Sequence, residues 1–313
     1  MNYEALKNVN VWQVDVRPFL ATEKDPAKFC FEKGIVAIGW SVPGKPLSKE
    51  EYWEMGKGIY AKDNQWVRAA TPFLFQMKEN DLVWLKDFEG FYYLGRIEGE
   101  WHYRDEPEFL QVGLPNARKC KLFKVGSDAP GSIEHGFRTG SIVQKINDFS
   151  AHLFSRISYN RLSGEEFYTV EEDFLEKTDV FGLLTNSELE DVVALFLQRD
   201  GYYVIPSTFN TEENYNFQMV HQSTGEKAFV RISSNGMLDP NMFSDFPHKV
   251  FLFSPVGYRS LEAPLSHVVA LKKEDMENFF KTHENLMPYS IRVYLEWKRA
   301  KQKIKMYKLA GKV

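Results

Sequence analysis

The sequence predicts an α+β / α/β protein of two domains: an N-terminal β-barrel with flanking helices, then a C-terminal α/β domain built around a central mixed sheet. Three observations lead there. The chain has 313 residues, enough for two domains of ordinary size. Its first half reads mostly as short strands between turns, the rhythm of a moderate barrel. Its last third runs helix, three strands, loop, then strand and helix, which is an α/β order.

The elements follow in order. NVWQVDV alternates apolar and polar residues as a half-buried strand does, and GIVAIGW is a continuous apolar run ending at Gly39-Trp40. KPLSKEEYWEMGKGIYA places Ser48 three residues before Glu51, a capping box that starts a helix. DLVWLKD, GFYYLGRIEGEWHY and CKLFKV read as further strands, with Gly90 and Gly99 as turn or bulge points. KDNQWVRA and the glycine-rich GSDAPGSIEHG read as loops. From Ile142 onward, Ile146, Phe149, Leu153, Phe154 and Ile157 recur at near-helical spacing, and 151–185 reads as a helical connector. NSELEDVVALFLQRDG is an amphipathic helix with a cap at Asn186 or Ser187 and a stop at Gly201. YYVIP, YNFQMVHQ, KAFVRIS and KVFLFSP are strands, HVVALKKEDMENFFKTH a strand running into a helix, and SIRVYLEWKRAKQKIKMYKL a last, basic helix. The boundaries expected are 1–150, 151–185 and 186–313.

Composition narrows the function classes. Hydrophobic residues are 43% and charged residues 26%, which indicates a folded chain. Net charge is −4 and neither half is strongly basic, so bulk charge does not drive nucleic-acid binding, although a local basic groove remains open. Arg17, Arg68, Arg96, Arg104, the run ARKCK and the end KRAKQKIKMYK are its candidate cations. No run approaches the roughly 18 apolar residues of a membrane span, and the N-terminus lacks a secretory pattern. Cys30 and Cys120 stand alone, so no disulfide framework is expected and a cytoplasmic setting is the default. No HExxH, GxSxG or phosphate-loop pattern occurs, and no cofactor is expected. The aromatic share of 15% is high, and large aromatics build stacking surfaces as well as cores.

The helix SELEDVVALFLQRDGYYV, the hairpin YNFQMVHQSTGEKAFVRISS, the strand KVFLFSP and the close HVVALKKEDMENFF…LMP resemble the core of Mrr-type restriction endonucleases of the PD-(D/E)xK superfamily, over Leu183 to Leu309. The resemblance implies a helix glutamate, a second-strand aspartate and a third-strand acid-x-Lys around Mg²⁺, which prefers hard oxygen ligands. The helix offers Glu188 or Glu190. The aspartate position falls on Asn216, and the triplet falls on Arg231-Ile232-Ser233, where Arg231 cannot ligate a cation. No catalytic or metal-binding residue is therefore expected. The half reads as a degenerate nuclease fold serving for DNA binding, homo-oligomer formation or partner docking. Relocated catalytic groups (Glu226, Lys227, Asp239 or Asp245) are the alternative, with Mg²⁺ as cofactor in that case only.

VNVWQVDVRP, GIVAIGW, FLFQMKENDLVWLKD and FYYLGRIEGEWHY, spanning Val9 to about Lys145, resemble EVE-type domains of the PUA-like superfamily. The resemblance implies a PUA-like barrel that takes an extruded, modified DNA base into an aromatic pocket, in bacterial defence. Extrusion costs a few kcal/mol, and stacking on aromatics returns roughly 1–3 kcal/mol per base. Trp40, at a strand end after Gly39, is the first choice for the pocket; Trp12, Trp66 and Trp84 follow, with Asp15, Arg17, Asn64 and Arg96 to read the base edge or hold phosphate. A protein-interaction adaptor without nucleic acid is the remaining class.

Overall fold

The computed structural model describes residues 9–16, 24–170, 179–208, 215–260 and 265–310, with side chains to 303. The chain divides into two compact units, residues 1–171 and 172–313.

The first unit carries strands β1 (Val11–Val14), β2 (Ile35–Ile38), β3 (Leu82–Lys86), β4 (Tyr92–Tyr103), β5 (Asn116–Gly126) and β6 (Val143–Ile146). They form one mixed sheet in the order β2-β5-β4-β3-β1-β6. β1 runs parallel to β3 and antiparallel to β6. The two edges, β2 and β6, do not pair with each other, so the described strands form an open sheet and not the closed barrel expected from the sequence. Both edge strands are only four residues long, which limits the ladder either could extend around a barrel.

The helices of this unit have local causes. α1 (Pro26–Lys33) starts at Asp25, whose carboxylate accepts from the amides of Ala27 and Lys28, and stops at Gly34 in the left-handed region (φ 65°). α2 (Lys49–Tyr60) is capped by Ser48 as expected. KDNQWVRA, read as a loop, is α3 (Asn64–Thr71): the Asp63 carboxylate caps Gln65 and Trp66. Pro72 then opens a single π-helical turn, Pro72–Gln76. α4 is Pro107–Val112.

Two further readings change. The glycine-rich stretch after Gly126 contains α5 (Gly131–Arg138). The near-helical spacing at Ile142–Ile146 belongs to β6, and the helix starts only after Asp148, whose carboxylate accepts from Ala151 N at 2.8 Å. That helix, α6 (Phe149–Ser163), lies within the first unit: Ser155 Oγ accepts from the buried Trp84 indole at 2.9 Å.

In the second unit α7 (Asn186–Arg199) is capped by Thr185, one residue before the expected cap, in a complete capping box with Glu188. β7 (Tyr202–Ile205), β8 (Phe217–His221), β9 (Lys227–Ile232), β10 (Lys249–Phe253) and β11 (Val268–Ala270) form a mixed sheet in the order β11-β10-β9-β8-β7. β7, β8 and β9 are antiparallel, while β9, β10 and β11 are parallel. α8 (Lys273–Thr282) and α9 (Tyr289–Ala310) complete the unit. Ala228, Val230 and Ile232 face a core with Val193, Leu197 and Phe279, and Phe229 faces a smaller cluster with Phe243 and Val250.

Candidate functional sites

In the first unit, β1 and β3 are parallel, so both end at one edge of the sheet. There Asp15, Val16, Lys86, Asp87, Phe88, Phe137 and Arg138 line an open pocket of about 470 Å³. That volume lies in the range of small-molecule pockets, roughly 300–1,000 Å³. The turn after β3 sets its rim: Gly90 N donates to Asp87 O at 3.1 Å, Gly90 takes a φ of 89°, and Phe88 N donates to Asp25 Oδ2 at 2.7 Å. Phe88 is thereby held on the outside of a fixed turn, 65% exposed. Asp87 is buried, accepting from Phe91 N at 2.7 Å and Tyr93 Oη at 2.9 Å. Phe137, on α5, packs edge-on to Tyr92, and Lys86 Nζ lies 4.8 Å above the same Tyr92 ring. Arg138 is largely exposed. Two aromatic rings, two carboxylates and two cations thus meet around one space.

Of the residues picked from the sequence that the structure describes, only Asp15 lines this cavity. Trp12, Trp66 and Trp84 are 0–1% exposed and Trp40 5%, so the rings offer no open face here. Trp12 donates its indole N–H to the buried Asp81 at 2.7 Å, and Trp66 stacks on Trp53 with centroids 4.6 Å apart. Trp40 takes a left-handed φ of 64°, uncommon for a bulky residue. A polar frame holds it there: Tyr52 Oη donates to its carbonyl at 2.8 Å, and its indole donates to Asp63 at 2.9 Å. Asn64 is exposed at the start of α3. All three guanidinium nitrogens of Arg96 are engaged, by Tyr159, Asn80 and Glu98. Arg17 lies outside the described residues.

Arg118, in the run ARKCK expected to supply groove cations, is instead buried. Arg118 on β5 donates to the carbonyls of Phe73 (2.9 Å) and Leu74 (3.1 Å), within the π-helical turn, and burial holds its pKa below the usual guanidinium value. The thiols of Cys30 and Cys120 are buried; burial pushes Cys30 up to about 12 and Cys120 well above its ordinary value, so neither is a ready nucleophile.

In the second unit, Asn186, Ser187, Glu190, Asn216, Ile232, Ser233, Ser234 and Asn235 line a polar pocket of about 390 Å³. Glu190 is 7% exposed; burial raises its pKa, opposed by a 2.8 Å hydrogen bond from Asn216 Nδ2. Glu188 turns elsewhere, accepting from Thr185 N, Thr185 Oγ1 and Ser290 Oγ, so it serves the helix cap. Arg231 does not line the pocket. Asp239 caps the short turn Pro240–Phe243 and also stays outside it.

No family model, curated protein or solved structure matches the chain. For Mg²⁺ the second pocket fits poorly: among the described residues Glu190 is the one carboxylate that lines it, and no three His, Cys, Asp or Glu side chains gather as metal ligands.

Proposed function

We propose that this chain binds nucleic acid and holds one extruded base in the pocket at the carboxyl ends of β1 and β3, while its second unit serves as a non-cutting, nuclease-like platform. The observation that carries the reading is the meeting of Phe88, Phe137, Asp15, Asp87, Lys86 and Arg138 around about 470 Å³. A flat heterocycle needs aromatic walls for its faces, polar groups for its edge and cations for the phosphates beside it. This pocket supplies all three.

The resemblance of Val9–Lys145 to EVE-type base readers supports this assignment, and it moves from the tryptophans to the phenylalanines. A setting in bacterial defence belongs to the same proposal. For the second unit, the nuclease-like reading draws support from a polar pocket in which Glu190 lies beside Asn216 and Ser233. Asn216 and Ser233, a neutral amide and a hydroxyl where the resemblance calls for an acid and a lysine, support binding without hydrolysis.

The test is a titration of duplexes carrying unmodified, methylated, hydroxymethylated and glucosylated bases, with product analysis in Mg²⁺. Selective binding of one modified duplex without strand cleavage is expected. Equal, weak binding of all of them would overturn the base-reading proposal, and Mg²⁺-dependent cleavage would overturn the non-cutting one.

A further inference from the structure

Glu190, near the start of α7, is 7% exposed, and the little surface it keeps lies on the polar pocket of the second unit. Asn216 Nδ2 donates to its Oε1 at 2.8 Å. Among the described residues its other oxygen, Oε2, accepts no hydrogen bond, and that oxygen is not walled off from solvent. No cation among the described residues pairs with the carboxylate; the charge that acts on it is that of Asp191, of the same sign. Buried charges in folded proteins are as a rule paired, because an uncompensated one is costly. Apart from Ile232, the rest of the lining is neutral and hydrogen-bonding. Asn186 and Ser187 come from the first turn of α7, and Ser234 and Asn235 from the stretch after β9. The side chains of these four make no hydrogen bond among the described residues.

We infer that this pocket binds a small organic ammonium that carries hydroxyl groups, an amino alcohol or an amino sugar. The inference stands apart from the base-binding reading of the first unit. An ammonium brings a full positive charge and several N–H donors. One donor meets Glu190 Oε2 in a charge-assisted hydrogen bond, and serine hydroxyls and asparagine carbonyls accept the others. Hydroxyl groups on the ligand both donate and accept, which suits a lining of amides and hydroxyls that do the same. A phosphate would meet the Glu190 charge with no cation in the lining to offset it. A divalent metal ion would find one carboxylate where it needs several hard oxygen ligands.

The test titrates the full chain at neutral pH with two matched pairs of probes, ethanolamine against ethylene glycol and glucosamine against glucose. Within each pair an ammonium replaces one hydroxyl. Binding is followed by ligand-observed NMR. At least one ammonium probe is expected to bind saturably, about tenfold or more tighter than its hydroxyl counterpart, and to stay bound in millimolar Mg²⁺. Glu190→Gln, which keeps an acceptor for Asn216, is expected to remove that preference and leave the hydroxyl probes unchanged. Ser187→Lys sets a cation at the exposed mouth of the pocket and is expected to remove the preference too, so the test stands even if the first variant fails to fold. Equal binding within both pairs, no binding by either ammonium, or a preference that survives in a folded variant overturns the inference. Displacement of the ammonium by Mg²⁺ overturns it in favour of a metal site.

Discussion

Asn216 holds Glu190 in place: its amide nitrogen donates to Glu190 Oε1 at 2.8 Å, while its amide oxygen accepts from Ile232 N at 2.8 Å. One neutral side chain thus ties α7 to β9 at the position where the nuclease resemblance calls for an acid. An aspartate there would face Glu190 carboxylate to carboxylate. Asparagine gives the buried carboxylate a donor and the strand an acceptor. Asn216→Ala removes both and is expected to cost roughly 1–3 kcal/mol in denaturant unfolding. A loss near zero would mean that Glu190 finds another donor.

Glu190 gives that pocket a pH signature. Burial raises its pKa, so the folded state holds the proton more tightly than the unfolded chain does. The resulting stabilisation is full below the ordinary carboxylate pKa and is lost as pH rises through the raised folded value. Glu190→Gln keeps the acceptor for Asn216 and removes the charge. It is expected to melt above the parent at neutral pH, with the difference closing on acidification. A difference that does not change between pH 7 and pH 4 would contradict this account.

Trp40 shows why the conspicuous aromatics are poor probes of binding. It is 5% exposed and tied to Tyr52 and Asp63. Trp40→Ala is expected to destabilise the first unit by about 3–5 kcal/mol, read as a shift of the unfolding midpoint. Loss of binding in that variant would report loss of fold.

Arg118 ties β5 to the π-helical turn through the carbonyls of Phe73 and Leu74. Arg118→Met leaves those carbonyls without their donor and is expected to cost about 3 kcal/mol. Arg118→Lys, with one compact ammonium in place of a fork, is expected to recover only part of that. Full recovery by lysine would show that charge, and not the fork, holds the turn.

Most of the fold was legible in the sequence because most strands and helices advertise themselves by period and cap. Ser48 starts α2 as its spacing with Glu51 foretells, and every strand read in the last third is present. The misreadings have local physical causes. Asp63 and Asp148 are N-caps hidden among other polar residues, so α3 was taken for a loop and β6 for the start of a helix. Three glycines near α5 gave it a loop's composition. Closure of the sheet depends on pairing between distant edges, which no local pattern encodes. The pocket was missed for a related reason. Tryptophans at strand ends draw the eye, whereas Phe88 becomes prominent only because β1 and β3 end at one edge and the Asp87–Gly90 turn lifts its ring outward.

The central claim is that a base stacks in the Phe88–Phe137 pocket. The most direct measurement compares the parent with Phe88→Ala, by anisotropy titration against the best-bound modified duplex and by thermal melting. Phe88 is 65% exposed, so the variant is expected to melt within a degree or two of the parent. The account predicts affinity lower by about 5- to 100-fold, the loss of one stacking partner. Unchanged affinity in a folded Phe88→Ala protein would contradict it.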